Sequence, residues 1–449
     1  MRIIETVTEF DSFLNASKDY DWVVIPTYCN GEKPVYTDVL SVIYVYTLMQ
    51  DEEVMIVFNH TEGLPMSETL LQQFPTDRKL FVYGKKRFKK FLDSNNIIDI
   101  DMVEYFYKNQ PIEDDFETSA HEFFTRQFGN FNNLNAIIPI TKHIEKSQAI
   151  CNRFLDVYDY FDCDSVFDKY NNLILDSLFQ IEKNGLFTNY DQFKTKFANT
   201  PLYDNFAFSE YNVYTTTGRP SNRFGGINFA ALNKDTGQRS AFVSRFGENG
   251  FMISFDYDAY HLRLLADLVD YKFTEDSVHT YLGKYYFDKK ELTPEEYSEA
   301  KSISFRQLYG GIGQEYLSIP FFAQVHEYTQ LIWEKFREDG YIETPMFGRK
   351  LFKSFFTEMN AAKLLNYLLQ SFETERNMAV IHNVLERTKN YSSKLVLYTY
   401  DSFLWDFDKR DGAKLIKEIK EELEQNKKFP VKIEIGPDYH NMIGVKRNI

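Results

Sequence analysis

The chain has 449 residues, 43% hydrophobic and 26% charged, which suits two or three globular domains and argues against wholesale disorder. Acids outnumber bases by 66 to 51, a net charge of −15, which disfavours contact with a phosphate backbone unless the bases gather on one surface. No apolar run approaches the roughly 18 residues of a membrane span, acids interrupt the N-terminus MRIIETVTEFDSF before a signal peptide's apolar stretch can form, and three dispersed cysteines (Cys29, Cys151, Cys163) exclude a disulfide scaffold or a C-x-x-C zinc motif and point to a thiol-reducing cytoplasm.

In chain order, DWVVIPTY, DVLSVIYVYTL, EEVMIVF and RKLFVYG predict strands, while KKRFKKFLDSN and the stretch after Ile100 predict helices, so residues 1–107 read as a mixed α/β domain. The first 150 residues hold 23 acids and 14 bases and are the poorer candidate for touching phosphates. HEFFTRQF, ITKHIEKSQAICNRFLDVYDYF and VFDKYNNLILDSLFQIEKNGLF carry apolar residues at helical spacing, with Gly185 as a stop. From about residue 210, TTTGRPSNRFGGINFAALNKDTGQR has a loop-forming composition. It leads into NGFMISFDYDAYHLRLLADLVD, a strand that stops at an acid and then a helix. TPEEYSEAKSISFRQLYGGIG predicts a helix from Pro294 to Gly310, and SKLVLYTYDSFLWDFDKRDG a β-hairpin bent at Asp401-Ser402.

Asp256 and Asp401 each end a strand. If those strands neighbour each other in one sheet, both carboxylates emerge at one edge, where their repulsion favours a divalent cation between them. On spacing alone the pair reads first as ordinary strand-end acids facing water. Lys301, Phe305 and Tyr309 lie at i, i+4 and i+8 on one helix face. An ammonium, a flat ring and a phenol in a row would hold a nucleotide. An amphipathic helix with Phe and Tyr in the core and a snorkelling Lys has the same spacing.

Taken together, TGRPSNRFGGIN, FDYDAYHLRLLADL, EAKSISFRQLYGG and YTYDSFLWDF resemble the polymerase half of family A (Pol I-like) DNA polymerases over roughly residues 150–449. Motif A (D-Y-S-x-I-E-L-R-x-L-A) is matched by Asp256, Tyr257, Leu262, Arg263, Leu265 and Ala266, motif B by Lys301, Phe305, Tyr309 and Gly310, and motif C by Tyr400-Asp401-Ser402. His279, the run from Gly340 to Lys350, Asn366 and Gln370 agree more weakly. The resemblance implies two Mg²⁺ ions on Asp256, Asp401 and the Tyr257 carbonyl. It implies triphosphate binding by Lys301 with His279, framing of the base pair by Phe305 and Tyr309, and contact of the sugar with His261. Arg219, Asn366, Gln370 and Lys234 would touch primer–template DNA. The reaction would be attack of a primer 3′-oxygen on the α-phosphorus of a dNTP, driven by positioning and charge stabilisation.

The sequence also departs from that pattern. His261 stands where motif A has the Glu said to exclude a 2′-hydroxyl, Tyr297 replaces a motif B arginine, and Ser402 replaces the motif C Glu. Only 26 residues separate Tyr190 from Thr217, too few for a long helical thumb, which implies a weak grip on DNA and an accessory processivity or thumb-supplying protein. The N-terminal third resembles the family's 3′–5′ exonuclease domain, with Pro26 and Tyr28 at the places of its first two acids and Phe88 at another. Asp19, Asp21 or Asp38 would be the substitutes if any activity persisted. The expected fold is therefore α/β (α+β). A degenerate, RNase H-like exonuclease domain (1–150) precedes a helical connection (151–210) and a palm with fingers (211–449, fingers about 268–345). The expected protein is a bacteriophage-type DNA polymerase without proofreading. A single-subunit-type RNA polymerase or primase and an inactive replisome scaffold are the alternatives.

Overall fold

A computed structural model describes residues 1–29, 39–109, 134–198, 200–222, 227–275 and 277–445. Asp38, the segment HEFFTRQF and part of RFGGIN lie outside the described residues. The chain forms two compact units, Met1–Phe179 and Gln180–Ile449. Among the described residues no helix is long and apolar enough to cross a membrane.

The first unit is built on a six-stranded sheet. Its strands are β1 (Arg2–Ile4), β2 (Trp22–Tyr28), β3 (Leu40–Thr47), β4 (Glu52–Val57), β5 (Leu80–Val82) and β6 (Ile97–Asp99), in the order β1-β4-β3-β2-β5-β6. β2, β3 and β4 pair antiparallel, whereas β5 and β6 continue parallel from β2 and β1 lies parallel to β4. β2 and β3 are covered on both faces, which is why their sequences are nearly unbroken apolar runs. Helix α1 (Val7–Ser17) starts on a Thr6/Glu9 capping box and sends Phe10 and Phe13 into the core with Trp22 and Phe74. Helix α2 (Ile100–Lys108) is capped by Asp99. Helix α3 (Ile140–Tyr158) sets Phe154 and Tyr158 against Phe81, which points to the opposite face from Leu80 and Val82.

The expected helix over KKRFKKFLDSN is a single turn, Lys85–Phe88. Gly84 supplies no capping side chain, and the turn is held by tertiary contacts instead: Phe88 in the core, the Lys85 N–H donating to Asp99 at 2.7 Å, and Lys89 paired with Asp176 at 2.8 Å. Tyr28 ends β2 beneath the Arg87 guanidinium, 4.7 Å from its ring. Pro26 sits past Val24, where pairing with β5 has ended, so the strand tolerates a residue without an N–H. Asp21 precedes β2 and accepts from the Lys79 N–H. It therefore lies at the opposite end of the strand from Tyr28, about 20 Å away at roughly 3.3 Å per residue.

The second unit carries an antiparallel five-stranded sheet. Its strands are β7 (Gly250–Tyr257), β8 (Lys394–Thr399), β9 (Ser402–Asp408), β10 (Val431–Gly436) and β11 (Ile443–Gly444), in the order β8-β9-β7-β10-β11. Period-two alternation divides β7 cleanly. Phe251, Ile253, Phe255 and Tyr257 share a face with Phe403, Trp405 and Phe407, while Met252, Ser254 and Asp256 share the other with Ser402 and Leu404. Around the sheet stand α4 (Tyr260–Leu268), α5 (Val278–Phe287), α6 (Pro294–Gly310), α7 (Pro320–Asp339), α8 (Ala361–Thr388) and α9 (Gly412–Glu424). The aromatic face is covered by α8 and α9. Arg376 of α8 lies 5.0 Å from the Tyr257 ring centre and donates to its hydroxyl, which in turn donates to the Leu423 carbonyl of α9. Between Tyr190 and Thr217 the described residues form one short helix, Tyr190–Lys196, and the two-residue strands Phe206–Ala207 and Tyr211–Asn212.

Candidate active site

The strand that ends at Asp401 is not the neighbour of β7. The strand that begins after it, β9, pairs with β7, and β8 lies one place further out. The bend falls at Tyr400-Asp401 rather than Asp401-Ser402, with Tyr400 in the left-handed region at φ 60°. The two acids still converge. Asp256 faces Ser402 across the ladder, and the Asp401 carbonyl accepts from the Tyr257 N–H at 3.0 Å. Ser402 Oγ donates to Asp256 Oδ2 at 3.0 Å, using the short side chain that stands at the motif C glutamate position.

Both carboxylates are reluctant to ionise. Burial raises Asp256, against the opposing hydrogen bond from Ser402. Burial first, and then the Asp256 charge, push Asp401 up to about 6. Two like charges set this close together are relieved by a divalent cation. An oxygen-only donor set of one or two carboxylates, completed by backbone, water and ligand oxygens, suits Mg²⁺. Among the described residues no cluster of three or more His, Cys, Asp or Glu offers a fuller protein cage. The residues present therefore fit a magnesium ion that shares its coordination with a bound substrate.

Helix α6 begins on a Thr293/Glu296 capping box with Pro294 in its first turn. Its buried positions are Ala300, Ser304, Gln307 and Leu308, so the aromatic stripe is not core. Phe305 and Tyr309 are 36% and 44% exposed and lie nearly parallel, 8° between planes and 6.2 Å between centres. Lys301 Nζ sits 5.8 Å from the Phe305 ring centre. Burial pushes the Tyr309 hydroxyl up to about 12. His279 is buried against Phe305 and Tyr297, and burial lowers it to about 4, so it is neutral at physiological pH.

The Tyr309 hydroxyl meets His261 Nδ1 at 2.6 Å, and His261 Nε2 meets Glu373 Oε1 at 2.9 Å. A carboxylate oxygen only accepts, so Nε2 carries a proton, and in the neutral ring Nδ1 accepts from the tyrosine. The other Glu373 oxygen pairs with Arg219 Nε at 2.8 Å, and the Arg219 guanidinium lies 3.7 Å over the Tyr400 ring. A continuous chain thus runs from α6 through α4 and α8 to the bend that carries Asp401. Asn366 donates to the Tyr309 carbonyl, Gln370 accepts from Thr217, and Lys234 pairs with Glu434 at 3.5 Å. Sequence reasoning passed over Glu373, which is 1% exposed. Its signal was present: Asn366, Gln370 and Glu373 lie at i, i+4 and i+7, a polar stripe along one face of the helix.

No protein-family model matches the chain. DNA polymerase I of Synechocystis sp. is 23% identical over 261 residues, which covers 47% of this chain and 26% of that protein. The chain thus spans about a quarter of that relative. Among solved structures, the POL domain of Pol1 from M. smegmatis, in complex with DNA primer-template and dNTP, superposes with a TM-score of 0.71 at 15% identity, covering 98% of this chain and 99% of that one. At that identity the likeness establishes the fold, mixed α/β with sheets and many helices.

Proposed function

We propose that this chain, family A DNA polymerase-like in its fold, is a template-directed DNA polymerase that adds dNTPs to a primer 3′ end. The observation that carries the reading is the meeting of Asp256 and Asp401, 145 positions apart in sequence, at one edge of an antiparallel sheet beside the exposed Lys301–Phe305–Tyr309 face. The whole-chain likeness to a polymerase domain described with primer-template and dNTP supports it.

In this reading Asp256 and Asp401, with the Tyr257 carbonyl, hold Mg²⁺. When bound, the metal would supply charge neutralisation at the phosphates and lower the pKa of the attacking 3′-hydroxyl. Lys301 sets its ammonium against the triphosphate, and Phe305 offers a flat face to the nascent pair. Tyr309 closes that platform, its hydroxyl anchored on His261. Neutral His279 is an uncharged hydrogen-bonding partner for a phosphate, not a counter-charge. Arg219, Asn366 and Gln370 line the route of the primer–template, and Lys234 neutralises the acidic edge around Glu434. The dominant catalytic contribution is preorganised charge and position, with no protein nucleophile.

In the first unit, two parallel strands continue an antiparallel trio, which supports an exonuclease-like scaffold. Tyr28 and Phe88, packed at the positions where acids are expected, support the loss of its hydrolytic site. A role in bacteriophage replication, the absence of proofreading and the need for an accessory protein belong to the same proposal.

Extension of a primed template with Mg²⁺ tests it. The wild type is expected to add dNTPs in preference to NTPs and to leave a mispaired 3′ end undegraded. Asp256→Ala and Asp401→Ala are each expected to lower synthesis by about a thousandfold or more with an unchanged circular dichroism spectrum. Substantial extension by either variant removes it from the metal site, and preference for NTPs would instead identify an RNA-synthesising enzyme.

A further inference from the structure

We propose that Lys432 is a second phosphate-binding cation of this site, held by Asp258 until a triphosphate competes for it. The inference rests on the polymerase reading and adds to it a residue that neither motif matching nor composition singled out.

Lys432 lies directly opposite Asp256 in the ladder between β7 and β10. Cross-strand partners point to the same face with Cβ atoms about 5 Å apart, so Ser402, Asp256 and Lys432 form one row across three strands. The ammonium does not pair with Asp256. It reaches Asp258 Oδ1 at 2.5 Å, while Arg263 approaches Oδ2 of the same carboxylate at 3.6 Å. Asp258 is buried and Lys432 is 61% exposed, which makes the lysine the partner free to swing. The charges of Asp258, Lys301, Lys432 and Arg263 all act on the His279 ring, so they share one neighbourhood. Three cations thus gather around the Asp258 carboxylate in a protein whose net charge is −15. The cluster borders the proposed metal carboxylate Asp256, where a magnesium-bound polyphosphate would rest. A cation that exchanges a carboxylate for phosphate oxygens makes charge-assisted hydrogen bonds in both states, and Asp258 keeps Arg263 as its counter-charge.

Titration calorimetry of the full chain with magnesium tripolyphosphate tests this without any need for catalysis. Lys432→Met is expected to weaken binding about tenfold, the scale of one charge-assisted contact, and Lys432→Arg to recover most of it. Asp258→Asn is expected to act in the opposite direction, tightening binding about threefold by releasing the lysine, and to have less than about half that effect in the Lys432→Met background. In primer extension, the dNTP KM of Lys432→Met is expected to rise by the same factor as the calorimetric constant. Unchanged tripolyphosphate binding in Lys432→Met overturns the proposal. So does a loss of binding in Asp258→Asn, which would mark the pair as a structural brace, and so does a wild type that binds no tripolyphosphate. A wild type that binds tripolyphosphate but extends no primer overturns the polymerase reading alone.

Discussion

Glu373 is the residue on which most of the candidate site leans. Its two oxygens serve His261 and Arg219, and through them the Tyr309 hydroxyl and the ring of Tyr400. Removing a buried carboxylate strands both partners, and breaking such a pair typically costs about 3–5 kcal/mol, here at the lower end because Arg219 keeps some access to water. Glu373→Ala is therefore expected to lower unfolding free energy by about 3 kcal/mol and to raise the dNTP KM by freeing Tyr309. Glu373→Gln, which still accepts from His261, is expected to lose about 1 kcal/mol. Urea titration and steady-state kinetics on both variants check this, and equal effects of Ala and Gln would show that the carboxylate charge, lost in both, matters rather than the hydrogen bond from His261.

At the scale of elements, α3 carries a measurable consequence of burial. His143 on that helix donates from Nε2 to the Asn135 carbonyl at 2.9 Å, and burial lowers its pKa from the usual 6.5 to about 4. A depressed folded-state value means that the proton binds the unfolded chain more readily. The stabilisation is complete above pH 6.5 and is lost as pH falls through about 4, roughly 3 kcal/mol in all at 1.36 kcal/mol per unit. The urea midpoint of the wild type is thus expected to fall more steeply between pH 7 and pH 4 than that of His143→Gln, and parallel curves would contradict it. The hairpin of β8 and β9 makes a different point. Its bend sits one residue earlier than turn chemistry suggests because Tyr400, with Arg219 packed on its ring, takes the left-handed position. A cation on an aromatic face contributes about 0.5–2 kcal/mol, enough to offset the backbone cost of that conformation.

At the scale of the whole molecule, the acidic balance and the short stretch between Tyr190 and Thr217 act in the same direction. Even one unbroken helix of those 26 residues would reach only about 40 Å, and the described part of the segment is mostly not helical. Few phosphate contacts mean a shallow dependence of DNA affinity on salt and rapid release. Extension in the presence of a DNA trap is expected to stop after short additions by the isolated chain, and long products would show that no accessory protein is needed.

Composition, periodicity and turn residues determined much of this protein by themselves. The apolar runs of β2 and β3, the start of α6 at Pro294, the stop at Gly185 and the ordered motifs that imply a Pol I-like fold are local signals, written in residues that are neighbours in the chain. Other local signals misled: KKRFKKFLDSN has helical spacing but too little to hold it beyond one turn. Tertiary structure alone decided which strand lies beside Asp256, that Lys432 stands across from it, and that Glu373 is sealed between an arginine and a histidine. Those relations depend on strand order, register and helix packing. A single chain's sequence carries the propensity of each segment but not the identity of the segment it will meet, and burial, which gives a carboxylate its energy, exists only once they have met.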